Sequence, residues 1–124
     1  MQSEPPRRDP AAPGHLPDGE VPEIDVQTFA DLHAAGVPLI DVREPDEYET
    51  THVPGAQLIP LGTVPERLDE VPTDRTVYVI CGVGARSHKA ADFYRRQGID
   101  AVNIAGGTAA WIEAQYPTAT GTER

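Results

Sequence analysis

The sequence predicts an α/β domain, a three-layer sandwich with a central, mainly parallel sheet and helices on both faces. Three observations carry this. Short apolar runs alternate with stretches of helical period, Gly and Pro punctuate the junctions, and no internal repeat interrupts the order. An α+β arrangement with some antiparallel pairing is the alternative. A chain of 124 residues fits one domain with loose ends. At this size roughly two thirds of the surface exposed by the unfolded chain is buried, so one core forms without staples.

The opening MQSEPPRRDPAAPGHLPDGE is rich in Pro, Gly and charge and has no period. Residues 1–20 are therefore expected to form a disordered arm, and residues 21–117 the folded unit. VPEIDVQTFADLHAAG begins with an extended piece at Glu23 and Ile24. Phe29, Leu32 and Ala35 then mark a helix that stops at Gly36. VPLIDVRE holds a strand over 37–42 whose apolar run suits a covered position. EPDEYET is a helical turn with an acidic start, where carboxylates favour the amino end. VPGAQLIP turns on Pro54 and Gly55 and gives a strand over 56–59. VPERLDEVP holds one or two helical turns, and TVYVI is the most hydrophobic strand. SHKAADFYRRQG starts a helix at Ser87 with Ala90, Ala91, Phe93 and Tyr94 along one side and Gly98 as its C-cap. DAVNIAGG gives a strand and a Gly pair, and TAAWIEAQYP a last helix, with Trp111 and Tyr116 packing it. The closing residues 118–124 are expected to fray.

The formal charge of −10 disfavours docking on nucleic acid or on an anionic membrane. No apolar run has the length to cross a bilayer, and the first residues lack the apolar centre of a secretory signal. A reducing, cytoplasmic setting is the expectation. The single cysteine, Cys81, makes an intrachain disulfide impossible. It is either a small buried hydrophobe or a nucleophile. His15 lies in the arm, His33 and His88 on helices, and His52 before a turn that it is expected to pin by hydrogen bonding. None has ligand spacing with another, so no metal site is expected.

The segment CGVGARS must pass from strand to helix within a few residues. Gly82 and Gly84 admit dihedrals closed to other residues, so that successive N–H groups can converge on an anion. The helix start adds unpaired N–H groups and a positive dipole end. A cysteine there ionises below its free value of roughly 8.5, commonly at about 3.5 to 7.5. Arg86 offers a cation at the rim. Taken alone, the same residues also describe an ordinary turn followed by a solvated arginine. Four residues separate Cys81 from Arg86, one fewer than the loop by which cysteine phosphatases wrap a phosphoryl group. The shorter loop suits a single sulfur atom carried on the thiolate.

At these positions the chain resembles the rhodanese family of sulfurtransferases in its single-domain form. LIDVREPDEYETTHVPGAQLIP matches the amino-terminal signature through Asp41, Arg43, Glu44, Glu47, Tyr48, His52, Pro54, Gly55 and Ala56. VYVICGVGARS matches the active loop, and AGGTAAW the carboxy-terminal signature. The resemblance covers residues 22–116 and implies an α/β sandwich. It makes Cys81 the residue that becomes a persulfide, cradled by the backbone of Gly82, Val83, Gly84, Ala85, Arg86 and Ser87. Asp41 and Arg43 would support the loop from the next strand end. The implied reaction takes sulfane sulfur from thiosulfate or a persulfide, on a small molecule or a protein. It passes that sulfur to a thiol or cyanide and requires no cofactor. A carrier or binding module that holds persulfide for one partner protein is the second reading. Gly82 and Val83 stand where many members have polar or basic residues, which weakens the case for thiosulfate. Thr51 replaces the family's usual glycine before His52.

Overall fold

The computed structural model describes residues 20–124; the expected disordered arm lies, but for Glu20, outside the described residues. The chain runs β1 (Glu23–Ile24), α1 (Val26–Ala34), β2 (Leu39–Asp41), α2 (Pro45–Thr50), β3 (Gln57–Leu58), two 3-10 turns (Leu61–Thr63 and Pro65–Glu70), β4 (Val77–Ile80), α3 (Ala85–Arg96), β5 (Ala101–Ile104) and α4 (Gly107–Glu113). Among the described residues one five-stranded sheet forms in the order β1-β5-β4-β2-β3. Each pairing is parallel, from Glu23 opposite Asn103 to Asp41 opposite Leu58. The α/β expectation therefore holds, and antiparallel pairing inside the sheet does not occur. The hydrophobic strand VYVI becomes β4, the middle strand, because it is covered on both faces.

Alternation along the strands sorts the core into two clusters. Val77, Val79 and Cys81 point to one face, with Ile40, Val42 and Ala101, and meet Ala90, Ala91 and Tyr94 of α3 and Val64 from the 3-10 segment. Ile80, Leu39 and Ile104 point to the other and meet Val26 and Phe29 of α1, Tyr48 of α2 and Trp111 of α4. Full burial of one such side chain contributes roughly 1.5–3 kcal/mol. Phase matters as much as burial: the period of two carries the cysteine onto the α3 face, where that helix begins.

The helix boundaries have local causes. Asp25 caps α1 by accepting from the Thr28 amide at 2.7 Å. Gly36, just past the end of α1, and Gly98, just past α3, both have positive φ. Helix α3 begins two residues earlier than its apolar pattern suggests. Gly84 at φ +113° turns the chain directly into the helix, so Ala85 and Arg86 belong to its first turn.

Two local assignments differ from the sequence reading. His52 does not hold the Pro54–Gly55 turn; His33 does, its Nε2 lying 2.6 Å from the Pro54 carbonyl oxygen. Both ring nitrogens of the fully buried His52 face other carbonyls, Nδ1 at 2.7 Å from Tyr48 and Nε2 at 2.5 Å from Glu123. The closing residues are therefore tied down rather than frayed. Ala119 and His52 exchange backbone hydrogen bonds of 2.8 and 2.9 Å, and the Gly121 amide donates to the Glu49 carbonyl. The buried imidazole gives the tail a fixed polar partner that its composition does not advertise.

Deleting residues 118–124 strips the His52 ring of one partner and opens its backbone to water. Each hydrogen bond lost to the tail contributes about 0.5–1.5 kcal/mol net, so the melting temperature should fall by about 4 °C or more. A thermal melt followed by circular dichroism checks this.

Candidate active site

Cys81 follows β4 at its carboxyl end, on the α3 face, and is 1% exposed. What surrounds its sulfur is set by the next two peptide groups. The Cys81 carbonyl accepts from the Thr108 amide at 2.8 Å and the Gly82 carbonyl from the Ala109 amide at 3.0 Å. Both donors belong to the first turn of α4, whose N–H groups have no partner within their own helix. In a trans peptide the N–H points opposite the C=O. Tying these two carbonyls toward α4 thus turns the Gly82 and Val83 amides the other way, into the loop. The contact is close: a Cβ on Gly107 would lie 2.5 Å from the Cys81 carbonyl oxygen and 2.7 Å from the Gly82 carbonyl carbon, and Gly107 has φ +61°. This is why a Gly pair, Gly106 and Gly107, opens α4.

Inside the loop the Gly84 amide donates to Sγ at 3.1 Å, and Ser87 Oγ lies 3.3 Å from it. Burial pushes the Cys81 thiol up, but the Ser87 hydroxyl and the amides of Ser87, Gly84 and Val83 outweigh it, holding the thiol below its ordinary value. The arrangement stabilises a negative charge on sulfur.

Of the sequence-derived candidates, Val83, Gly84 and Ser87 supply the groups that act on the sulfur, and Gly82 carries the chain from Cys81 to them. Ala85 is the first residue of α3 and is not among the donors to Sγ, which are the Gly84 amide and the Ser87 hydroxyl. Val83 is 71% exposed and faces outward at the loop tip. Arg86 lies over Gly82, where an added Cβ would sit 3.1 Å from Nη2. Its guanidinium makes a two-pronged ion pair with Glu47 of α2, at 2.8 and 3.0 Å. Glu47 also accepts from the Glu44 amide at 3.0 Å, closing the first turn of α2. The charge at the rim is therefore compensated.

Asp41 and Arg43 form a buried pair, 0% and 5% exposed, with Nη2 2.8 Å from Oδ2. Arg43 also donates to the Thr51 carbonyl at 2.8 Å and the Glu47 carbonyl at 3.4 Å. The pair fixes the end of α2 and through it Glu47, so its link to the loop runs through Arg86. Removing one member of such a buried pair typically costs about 3–5 kcal/mol.

A polar group that sequence reasoning missed lies beneath the loop. Asn103, 1% exposed on β5, joins Ser87 Oγ at 2.5 Å, the Gly84 carbonyl at 3.2 Å and Glu23 Oε2 at 2.7 Å. An asparagine amid AVNI, in a strand otherwise apolar, was the available signal. Among the described residues no cluster of three or more His, Cys, Asp or Glu could hold a metal ion, and no helix is long and apolar enough to cross a membrane.

The Arg86 hydrogen bonds to Glu47, with the Glu44 amide, lower the carboxyl from 4.5 to about 2. Because the folded value lies below the free one, the stabilisation is present above about pH 4.5 and is lost as pH falls toward about 2. Glu47→Gln should therefore lower the unfolding free energy near pH 7 by about 0.5–1 kcal/mol, the magnitude of a part-exposed pair. That difference should disappear near pH 2, as read by urea unfolding across the range.

The rhodanese-like domain family model matches residues 25–114. Over 100 residues the chain is 36% identical to a sulfurtransferase of Allochromatium vinosum, covering 78% of this chain and 94% of that one. It is 37% identical over 94 residues to the candidate sulfur carrier protein YrkF of Bacillus subtilis, covering 73% of this chain but only 51% of YrkF, about half its length. The fold superposes on the crystal structure of a rhodanese-related protein from Thermoplasma volcanium with a TM-score of 0.74 and 28% identity, over 79% of this chain and 97% of that one. With a parallel five-stranded sheet and a cysteine loop set between its middle strand and a helix, this chain belongs to the rhodanese family.

Proposed function

We propose that the chain is a sulfurtransferase that moves sulfane sulfur through a persulfide on Cys81. The observation that supports this best is the geometry at the thiol: the Gly84 amide donates to Sγ at 3.1 Å, and the Ser87 hydroxyl lies 3.3 Å away, within reach of a charge that forms there.

In the first half-reaction the Cys81 thiolate attacks the outer sulfur of thiosulfate or of a persulfide. The donor's S–S bond breaks, its electron pair leaves with sulfite or a thiolate, and Cys81 carries S–S⁻. In the second, an acceptor thiolate or cyanide attacks that outer sulfur, and Cys81 departs with the bonding pair as a thiolate. The order is ping-pong. The inward amides would serve both halves, since a stabilised thiolate is also the better leaving group. Neither step requires a cofactor. Asp41 and Arg43 act at a distance, by holding the helix that carries Glu47.

The loop disfavours a dianionic donor. Arg86 is paired with Glu47, Gly82 has no side chain, Val83 is apolar and exposed, and the chain carries −10 overall. A persulfide, whose reacting group carries one charge against the two of thiosulfate, meets less repulsion at the loop, whether it sits on a small thiol or on a protein. The burial of Cys81 favours a second reading, a module that carries sulfur for one partner protein, and YrkF, a candidate sulfur carrier, is similar over the matched region.

Incubation of the reduced protein with a sulfane donor should add one sulfur atom to Cys81, read by intact-mass spectrometry and peptide mapping. Cys81→Ser should abolish transfer and remain folded by circular dichroism. Absence of the adduct with both thiosulfate and glutathione persulfide would overturn the transferase reading. Compared on one preparation, kcat/KM for glutathione persulfide should exceed that for thiosulfate by about tenfold or more, the ratio given by a difference near 1.4 kcal/mol. A preference for thiosulfate would contradict the compensated rim.

A further inference from the structure

The Ser87 hydroxyl has one proton and three acceptors within reach: Cys81 Sγ at 3.3 Å, the Gly84 carbonyl at 3.3 Å and Asn103 Oδ1 at 2.5 Å. The orientation of Asn103 decides among them. Its Nδ2 lies 2.7 Å from the Glu23 carboxylate and 3.2 Å from the Gly84 carbonyl, two groups that only accept. The amide NH2 must face them, so Oδ1 faces Ser87, and an amide oxygen cannot donate. In the resting site the hydroxyl proton therefore sits on the short line to Asn103. Ser87 Oγ then presents a lone pair to sulfur, which suits S–H and opposes S⁻.

We propose that Asn103, oriented by Glu23, competes with Cys81 for the Ser87 proton and so sets how readily the thiol ionises. When Cys81 loses its proton to solvent, the Ser87 hydroxyl proton turns about the Cβ–Oγ bond to donate to Sγ, and Asn103 gives up its shortest bond. When sulfur is transferred onward and the thiol reprotonates, the proton returns to the Asn103 line. Asn103 and Glu23 are thus positioning residues: neither touches sulfur, and both act through Ser87. A strand of the sheet, rather than the loop alone, carries part of the control. The device holds the unloaded cysteine partly protonated, which limits its reaction with stray electrophiles.

The inference rests on reading Cys81 as the nucleophile, but its test needs no sulfur transfer. The pH midpoint of iodoacetamide alkylation reports thiol ionisation by itself. Around the thiol the charged groups are Arg86 on α3, Glu47 on α2 behind it, the Asp41–Arg43 pair at the end of β2, and Glu23 on β1 through Asn103. Asn103→Leu leaves all of them in place and removes the competing acceptor, so the midpoint should fall by about one unit, the scale of one hydrogen bond to a charged group. Ser87→Ala should raise the midpoint. In a Ser87→Ala background Asn103→Leu should have no further effect, whereas a merely structural role for Asn103 would shift both backgrounds alike.

Glu23→Gln, on the exposed edge strand, keeps the fold testable should Asn103→Leu fail to fold. Glutamine can present its own oxygen or its NH2, so Asn103 reverses its amide in a fraction of molecules, against the Gly84 carbonyl at 3.2 Å, and in that fraction the Ser87 proton is released to sulfur. The midpoint should fall by a few tenths of a unit, about a twofold rise in alkylation rate below it. An unchanged midpoint in Glu23→Gln, or equal shifts from Asn103→Leu with and without Ser87, would overturn the proposal. A midpoint that shifts with Ser87 present and not in its absence, in a protein that never acquires sulfur, would uphold it while the transferase reading fails.

Discussion

Two backbone hydrogen bonds order the site: Thr108 amide to Cys81 carbonyl and Ala109 amide to Gly82 carbonyl. They satisfy two donors at the start of α4 that its own helix cannot use, and two acceptors that the loop would otherwise turn inward. One exchange fixes both the helix seat and the direction of the loop amides. Had those carbonyls faced the sulfur, they would have opposed its negative charge. The requirement reaches back into sequence, because only a residue without Cβ leaves room for the Cys81 carbonyl at Gly107, and only a positive φ leads the chain there. The Gly pair after β5 is thus part of the cysteine's surroundings although it follows Cys81 by some 25 residues.

A second layer of order comes from buried charge. Arg43 is committed to Asp41 and to two carbonyls at the end of α2. That helix has six residues, too short to persist without packing. Tyr48 anchors it to the core and the Arg43 fork closes its end, while Glu47 extends from its first turn to Arg86. Rigidity therefore passes from the sheet, through a short helix, to the rim of the loop. The ion pair gives the rim shape more than charge.

Much of this was readable beforehand, because the signals were local. A lone cysteine at a strand end, two glycines and a helix start within a few residues define a cradle without knowledge of what lies across from it. Strand positions followed from apolar runs such as VYVI. What escaped was non-local or hidden by composition. The Glu47–Arg86 pair joins residues 39 apart in sequence, and nothing in EPDEYET announces its partner. Asn103 was absorbed into a strand because its neighbours are apolar. The start of α3 was misplaced because the apolar period begins at Ser87, whereas Gly84 closes the turn earlier by its dihedral. His33 takes the turn-holding role expected of His52 for a similar reason: hydrogen-bond partners of imidazoles are chosen in space. The polar tail gave no sign that a buried ring awaited it.

Trp111 lies within this connected region. It is the only tryptophan in the chain, 1% exposed, on the same short helix whose first turn holds the loop carbonyls. Phe29, His33 and Tyr116 surround its ring, and its Nε1 donates to the Pro117 carbonyl at 2.6 Å. An indole in so dry and fixed a setting emits at short wavelength, and its colour responds to water reaching α4. The molecule thus carries its own optical gauge: any event that unseats α4 from the cysteine loop registers as a red shift in intrinsic fluorescence, with no label attached.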